Sequence, residues 1–180
     1  AVQKLVSGGT PILGVCGGYQ MLGCTLSDPD CVEEGGKMQG MGLLPCDTVF
    51  SPRKTRTRVQ AQVLPEQLSG ARLDGYEIHM GKTTRNAGTA FCTLTDGKED
   101  GTVLGNVFGT YLHGLFDTGD LVEKLANWLL KRKGLEPQTA HVESHWEYKQ
   151  RQYDILAQAV RENLDMEKIY AAMDAYAKED

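Results

Sequence analysis

Pro11-Ile12-Leu13-Gly14-Val15-Cys16-Gly17-Gly18-Tyr19-Gln20 is the stretch that decides how this chain folds. The apolar run up to Val15 predicts a short buried parallel strand. Gly17-Gly18 then opens a helix expected over Tyr19 to Leu26. A cysteine between a strand and a helix, inside Gly-x-Cys-x-Gly, has the pattern of a nucleophile elbow with sulfur in place of the usual hydroxyl. Such a turn is sharp and strained, and glycines at 14 and 18 would remove the clashes that side chains there would cause. It leaves Cys16 at a helix N-terminus, where the helix field favours a thiolate. The Gly17 N–H would then face a developing oxyanion. The plainer alternative is a Gly-rich strand-to-helix turn with an inert cysteine.

A thiolate nucleophile needs a positioned base, and histidine is the usual one. The chain has His79, His113, His141 and His145. His113 ends the apolar run Gly109-Thr110-Tyr111-Leu112, and sites of open parallel sheets lie at the carboxyl ends of strands. Cys16 also follows a strand end, so the two can share an edge. His79 is the rival, because alternation in Tyr76-Glu77-Ile78-His79-Met80 puts Glu77 and His79 on one face. His141 and His145 lie in a polar stretch and are expected to be solvated.

Composition narrows the classes. The 180 residues are 41% apolar with a net charge of −5, enough for one globular core. An acidic chain without a long basic stripe is a poor match for nucleic acid. No apolar run is long enough to span a bilayer. The start, Ala1-Val2-Gln3-Lys4, has no signal pattern and reads as mid-protein. The five cysteines have no C-x-x-C spacing, so neither a disulfide framework nor a structural zinc site is expected. Cytoplasm is the compartment that this implies. Cys24, Cys31, Cys46 and Cys92 are expected to be small buried hydrophobes.

Further along, Gly35 to Gly42 suggests a loop. Asp47 to Phe50, Thr55 to Leu64, Leu73 to Met80 and Phe91 to Leu94 suggest strands, with Val59, Ala61 and Val63 on one face. Val103 to Leu112 is a Gly-interrupted strand region. Asp117 to Lys133 predicts a helix with Leu121, Leu125, Trp128 and Leu129 on one stripe and a basic last turn. After a linker with Pro137, Val142 to Leu164 predicts a second helix. A third follows Asp165 as N-cap. Lys178-Glu179-Asp180 reads as a frayed tail. The fold class is α/β with helical C-terminal additions. Arg53, Lys54, Arg56 and Arg58 form a basic cluster that fits a charge-protected strand edge, a docking face or a polycarboxylate contact.

The decamer Gly14-Val15-Cys16-Gly17-Gly18-Tyr19-Gln20-Met21-Leu22-Gly23 resembles the nucleophile motif of class I (triad-type) glutamine amidotransferases. Gly40-Met41-Gly42-Leu43-Leu44-Pro45, Gly75-to-Gly81 and Gly109-to-Asp117 narrow the likeness to the cobyric acid synthase family, as does Asn163-Leu164-Asp165-Met166. The resemblance implies an open, mostly parallel sheet of flavodoxin-like type, with residues 1–134 as amidotransferase domain and 135–180 as linker and helices packing on or beside it. It implies glutamine hydrolysis by Cys16 and His113, with Gly17, Gln20 and Tyr111 at the oxyanion and glutamine. Ammonia would pass to an ATP-dependent synthetase domain of the same polypeptide. That domain would amidate carboxylates of a corrinoid, adenosylcobyrinic acid a,c-diamide. ATP and Mg belong there, because this chain has no G-x-x-x-x-G-K-[ST] loop, and no metal or other cofactor is expected here.

Two departures qualify the resemblance. Most class I members carry Glu two positions after the base His, and here that position is Leu115. The subfamily is expected to lack this Glu, which leaves Asp117, Glu77 or a backbone carbonyl to orient His113. Only ten residues precede Pro11, so the family's first strand and oxyanion loop are expected upstream. Rival readings share the chemistry: a glutaminase domain of cobyrinic acid a,c-diamide synthase or of a peptidoglycan lipid amidating ligase. A cysteine hydrolase of other amides and a catalytically silent docking domain are the remaining alternatives.

Overall fold

The computed structural model describes residues 1–117, 119–137 and 143–176. The chain divides into two units, residues 1–142 and 143–180. The first unit starts with a short helix α1 (Val2–Ser7), which the sequence did not announce. The strand β1 (Ile12–Val15) and helix α2 (Gly17–Leu22) follow. Helix α2 is shorter than its apolar content suggests. Gly23 ends it, because its backbone lies against the Cys46 carbonyl, 2.8 Å from where a Cβ would stand. Thr25 and Leu26 then belong to β2 (Thr25–Asp28).

The stretch expected as a loop holds β3 (Gly36–Gln39), antiparallel to β2. All four of its residues are exposed, so no buried apolar face marks it in the sequence. The Asp28 carboxylate, accepting from the N–H groups of Val32, Glu33 and Gly35 at 2.8–2.9 Å, shapes the turn between them. Cys31 sits in that turn, exposed and at φ 50, unlike the buried Cys46 and Cys92 and the part-buried Cys24. The reading of Cys31 as a core residue is therefore corrected: the turn that Asp28 organises points it outward.

Two expected strands merge into β4 (Cys46–Val63), with a register shift between Phe50 and Thr55. It pairs antiparallel with β5 (Arg72–Arg85). Ala61 and Val63 are buried on the face that alternation predicts. Short strands follow: β6 (Cys92–Leu94), β7 (Glu99–Asp100), β8 (Thr102–Leu104), β9 (Val107–Thr110) and β10 (Leu112–His113). Parallel pairing occurs at β1–β9 and β2–β4, and the other ladders are antiparallel. The sheets are thus mixed within an α/β fold. Where short turns join neighbouring strands the chain must reverse, and a parallel pair needs a longer connection.

Strand β9 is buried along its whole length and separates two apolar clusters. Phe108 and Leu112 face Val63, Leu73, Phe91, Leu115 and Leu121. Val107 and Tyr111 face Tyr19, Leu22, Leu44 and Cys46. Helix α3 (Gly119–Arg132) closes the first cluster with Leu121, Leu125 and Trp128, whose ring meets Phe108 edge-on at 5.8 Å.

In the second unit, α4 (His145–Asn163) begins at a capping box. The Ser144 side chain accepts from Glu147 N–H, and the Glu147 carboxylate accepts from Ser144 N–H. Helix α5 (Met166–Tyr176) starts after Asp165, which accepts from the Lys168 N–H at 3.1 Å, as its N-cap role requires. Thr139, His141, Val142 and Lys178 to Asp180 lie outside the described residues.

Candidate active site

Cys16 stands at the junction of β1 and α2 with φ 53 and ψ −112. For a residue with a side chain this backbone costs about 1–3 kcal/mol, so the surroundings must enforce it. Three features do so. The Cys16 N–H donates to Thr110 O at 2.9 Å, extending the β1–β9 ladder by one bond. Its carbonyl accepts from Gln20 N–H at 3.1 Å, starting α2. Gly14 lets the turn close, because a Cβ there would lie 2.8 Å from the Gly18 backbone and 2.5 Å from Leu22. The crowding is one-sided: a Cβ on Gly17 or Gly18 would meet nothing within 4 Å. Glycine at 14 is therefore a steric requirement, while at 18 the expected clash does not occur.

The thiol lies against β5, with Sγ 3.5 Å from Ile78 O. His113 is paired across β10–β5 with Tyr76, two residues along the same strand, which is about 7 Å of strand axis. Cys16 and His113 therefore meet the same short segment of β5, Cys16 just past the parallel strand β1 and His113 on β10, which runs antiparallel to β5. Gly75 admits this arrangement, since the His113 carbonyl occupies the space of its missing Cβ. The imidazole stacks on Tyr76 with centroids 5.1 Å apart and planes 5° off parallel. Its Nε2 is buried and has no hydrogen-bond partner, the one such side-chain nitrogen or oxygen among the described residues. Burying an unpaired polar atom costs about 1–3 kcal/mol. A site awaiting a thiol proton or a substrate group has a use for it.

His79 is the opposite case. Its Nδ1 lies 2.7 Å from Gly81 O, its Nε2 is 3.9 Å from Glu77 Oε1, and its ring stacks on Tyr111 at 3.8 Å. Burial opposes charge on His79, but the Glu77 carboxylate and the Gly81 carbonyl outweigh it and raise its pKa. Glu77 and His79 share a face, as alternation predicts, and they line a cavity of about 1100 Å³ on β4 and β5. Arg53 and Arg58 of the basic cluster also line it, along with Asp100 and Tyr111, whereas Cys16 and His113 do not. This cavity is thus not the place where the elbow chemistry converges.

The remaining expected residues are also placed. Gln20 is buried, and its amide donates to the Tyr111 hydroxyl at 3.2 Å. Tyr111 is buried too, with its hydroxyl 2.7 Å from Thr83 Oγ1 and its ring edge-on to Tyr19. Asp117 is exposed, in a turn closed by its N–H on Gly114 O at 3.0 Å. Leu115 belongs to the core beside Leu112 and Leu121, so the position where most relatives of the class carry Glu here faces apolar packing. His145 is exposed at the start of α4. Sequence reasoning did not single out Tyr76, Ile78 or Thr110. Their signal was faint: Tyr76 and Ile78 alternate with Glu77 and His79, and so must occupy the other face.

A strained cysteine between a strand and a helix, its thiol on the β5 segment that pairs with the strand of an unpaired imidazole, defines an α/β elbow protein of the cysteine amidohydrolase kind. Residues 1–121 match the CobB/CobQ-like glutamine amidotransferase domain, and the chain belongs to that family. A cobyric acid synthase from Ruminiclostridium cellulolyticum is 44% identical over 186 residues, covering 96% of this chain and 36% of the relative. One from Citrobacter koseri is 48% identical over 178 residues, covering 92% and 35%. The chain thus spans about a third of the length of the curated relatives it matches. A solved glutamine amidotransferase from Thermotoga maritima superposes with a TM-score of 0.42 and 16% identity, over 76% of this chain and 55% of its own.

Proposed function

We propose that this chain hydrolyses glutamine to glutamate and ammonia, and that the ammonia serves an ATP-dependent synthetase segment of the same polypeptide in making cobyric acid. The observation that carries the reading is the elbow: Cys16 held at φ 53 by the Thr110 carbonyl and the Gly14–Gly18 approach. Strained residues of this kind cluster at reacting centres.

In this reading Cys16 Sγ attacks the side-chain carboxamide carbon of glutamine. His113 Nε2 takes the thiol proton and passes it to the departing nitrogen, which leaves as ammonia. A γ-glutamyl thioester remains. Water then attacks it with His113 again as base, releasing glutamate and restoring the thiol. The Gly17 N–H, in the first turn of α2, belongs to the set that a helix leaves without an intrahelical acceptor, and is assigned to the oxyanion. Tyr76 keeps the imidazole plane fixed through both steps. Gln20 and Tyr111 support the elbow from within the core, and that support is their part in glutamine binding. ATP, Mg and the corrinoid belong to the synthetase segment. Among the described residues no helix is long and apolar enough to cross a membrane, and the cytoplasm is the proposed compartment.

Labelling with diazo-oxo-norleucine, a glutamine-like electrophile, tests the reading. Label should appear on Cys16, glutamine should protect against it, and Cys16→Ala should take up none. Labelling indifferent to glutamine would point to another amide, and no labelling at all to a docking domain.

A further inference from the structure

The elbow and the base sit on different strands, and one buried carboxylate reaches the backbone that joins them. Asp100 is 7% exposed at the end of β7. Its carboxylate accepts from the Thr110 hydroxyl, and from the Tyr111 N–H at 3.1 Å. Thr110 Oγ1 in turn accepts from the Leu112 N–H at 3.1 Å. Residues 110, 111 and 112 are therefore fixed by one side chain. This segment anchors the nucleophile, because Thr110 O receives the Cys16 N–H. It also leads directly into β10, whose second residue is His113.

The same short stretch holds the helix behind the thiol. Gly101, at φ 81, brings β8 beneath β9, and the Thr102 hydroxyl lies 2.6 Å from the Tyr19 hydroxyl on α2. Asp100 and Thr102 thus grip the two sides of the elbow from one turn.

Stability alone is a weak reason for a carboxylate here. Removing an ion from water is costly, and apolar replacements of buried ionic groups are often neutral or stabilising. Burial does raise the Asp100 pKa, against the lowering effect of the Thr110 and Tyr111 hydrogen bonds. What the group supplies is geometry, through hydrogen bonds with defined directions.

We infer that Asp100 is a positioning residue for glutamine hydrolysis, acting through Thr110 and Tyr111 to hold Cys16 and His113 in one frame. This inference rests on the glutaminase reading given above. Asp100 acts through the backbone of residues 110–112, so its removal should blur the nucleophile–base geometry and leave glutamine affinity nearly intact.

The test uses the full-length polypeptide and steady-state release of ammonia from glutamine. Asp100→Asn should lower kcat by about tenfold to a hundredfold, the scale of a misplacement near 1 Å, with KM for glutamine changed less than about threefold. Thr110→Val should show the same split, and Thr110→Ser, which keeps the hydroxyl, should restore kcat to near the wild-type value. Should Asp100→Asn fail to fold, the Thr110 pair decides: equal kcat in the Ser and Val variants overturns the inference. A folded Asp100→Asn with wild-type kcat, alongside an inactive Cys16→Ala, overturns this inference alone. Full turnover by Cys16→Ala overturns the glutaminase reading and this inference with it.

Discussion

The two faces of β5 hold two histidines in contrasting states. On the Tyr76–Ile78 side, His113 stacks on an aromatic ring and keeps a buried nitrogen unpaired. On the Glu77 side, His79 has a carboxylate, a carbonyl and a stacked tyrosine around it. Both are held firmly, but only His113 keeps a buried ring nitrogen without a partner, while His79 Nε2 has the Glu77 carboxylate at ion-pair distance. A side chain whose partners are all supplied by the protein has little left to give to a reacting molecule. The lesson is that a base is better recognised by the partner it lacks than by the carboxylate beside it.

The largest effect should fall on the Cys16 thiol. Cys16→Ala should reduce glutamine-dependent ammonia release by about ten-thousandfold or more, the scale of losing a covalent nucleophile, while Cys31→Ser should not alter it. Steady-state assays of both variants check this, and an active Cys16→Ala would erase the contrast between the faces.

Next comes the contrast itself. His113→Asn should slow thioester formation by about a hundredfold to ten-thousandfold. His79→Asn should cost less than about tenfold, the scale of one lost structural hydrogen bond near 1 kcal/mol. Single-turnover trapping of the thioester gives both rates, and the reverse ranking would mean that the saturated histidine is the base.

A smaller effect concerns folding. Gly14→Ala should destabilise the chain by about 1–3 kcal/mol, because the added methyl overlaps the Gly18 backbone and Leu22. Denaturant titration measures it, and an unchanged midpoint would show the elbow to be more pliable than its contacts imply.

The smallest is a pH effect on the other face. The folded pKa of His79 is raised, so the stability it contributes is present below its ordinary value of 6.5 and lost as pH rises through the folded value. The gap in stability between wild type and His79→Asn should therefore be wider at about pH 6 than at about pH 8.5. A gap that widens with pH would reverse the assigned sign.

Much of this arrangement could be read from local sequence. The apolar run before Cys16, the flanking glycines and the apolar run before His113 are short-range signals, and they located the elbow and the strand that carries the base candidate. The stripe of Leu121, Leu125 and Trp128 located α3, and Asp165 located the start of α5. What escaped depends on partners distant in the chain. Strand β3 is recognisable only by its pairing with β2, since it has no buried face. The predominance of antiparallel ladders follows from which strands neighbour one another, which alternation within a strand does not encode. The Tyr76 stack on His113 depends on a register between residues far apart. That the Gln20 side chain is buried depends on Tyr111, far along the chain, which offers its hydroxyl there.

The open space beside Gly17 and Gly18 has a consequence for how this protein can change. Alanine would fit at either position and would favour α2 by about 0.5–1 kcal/mol through lower unfolded-state entropy. The chain leaves that stabilisation unused next to its thiol. Selection for thermal robustness would find alanine there at once, whereas at Gly14 the packing forbids it. The flank of the elbow facing Gly17 and Gly18 is thus where heat tolerance and turnover should trade against each other.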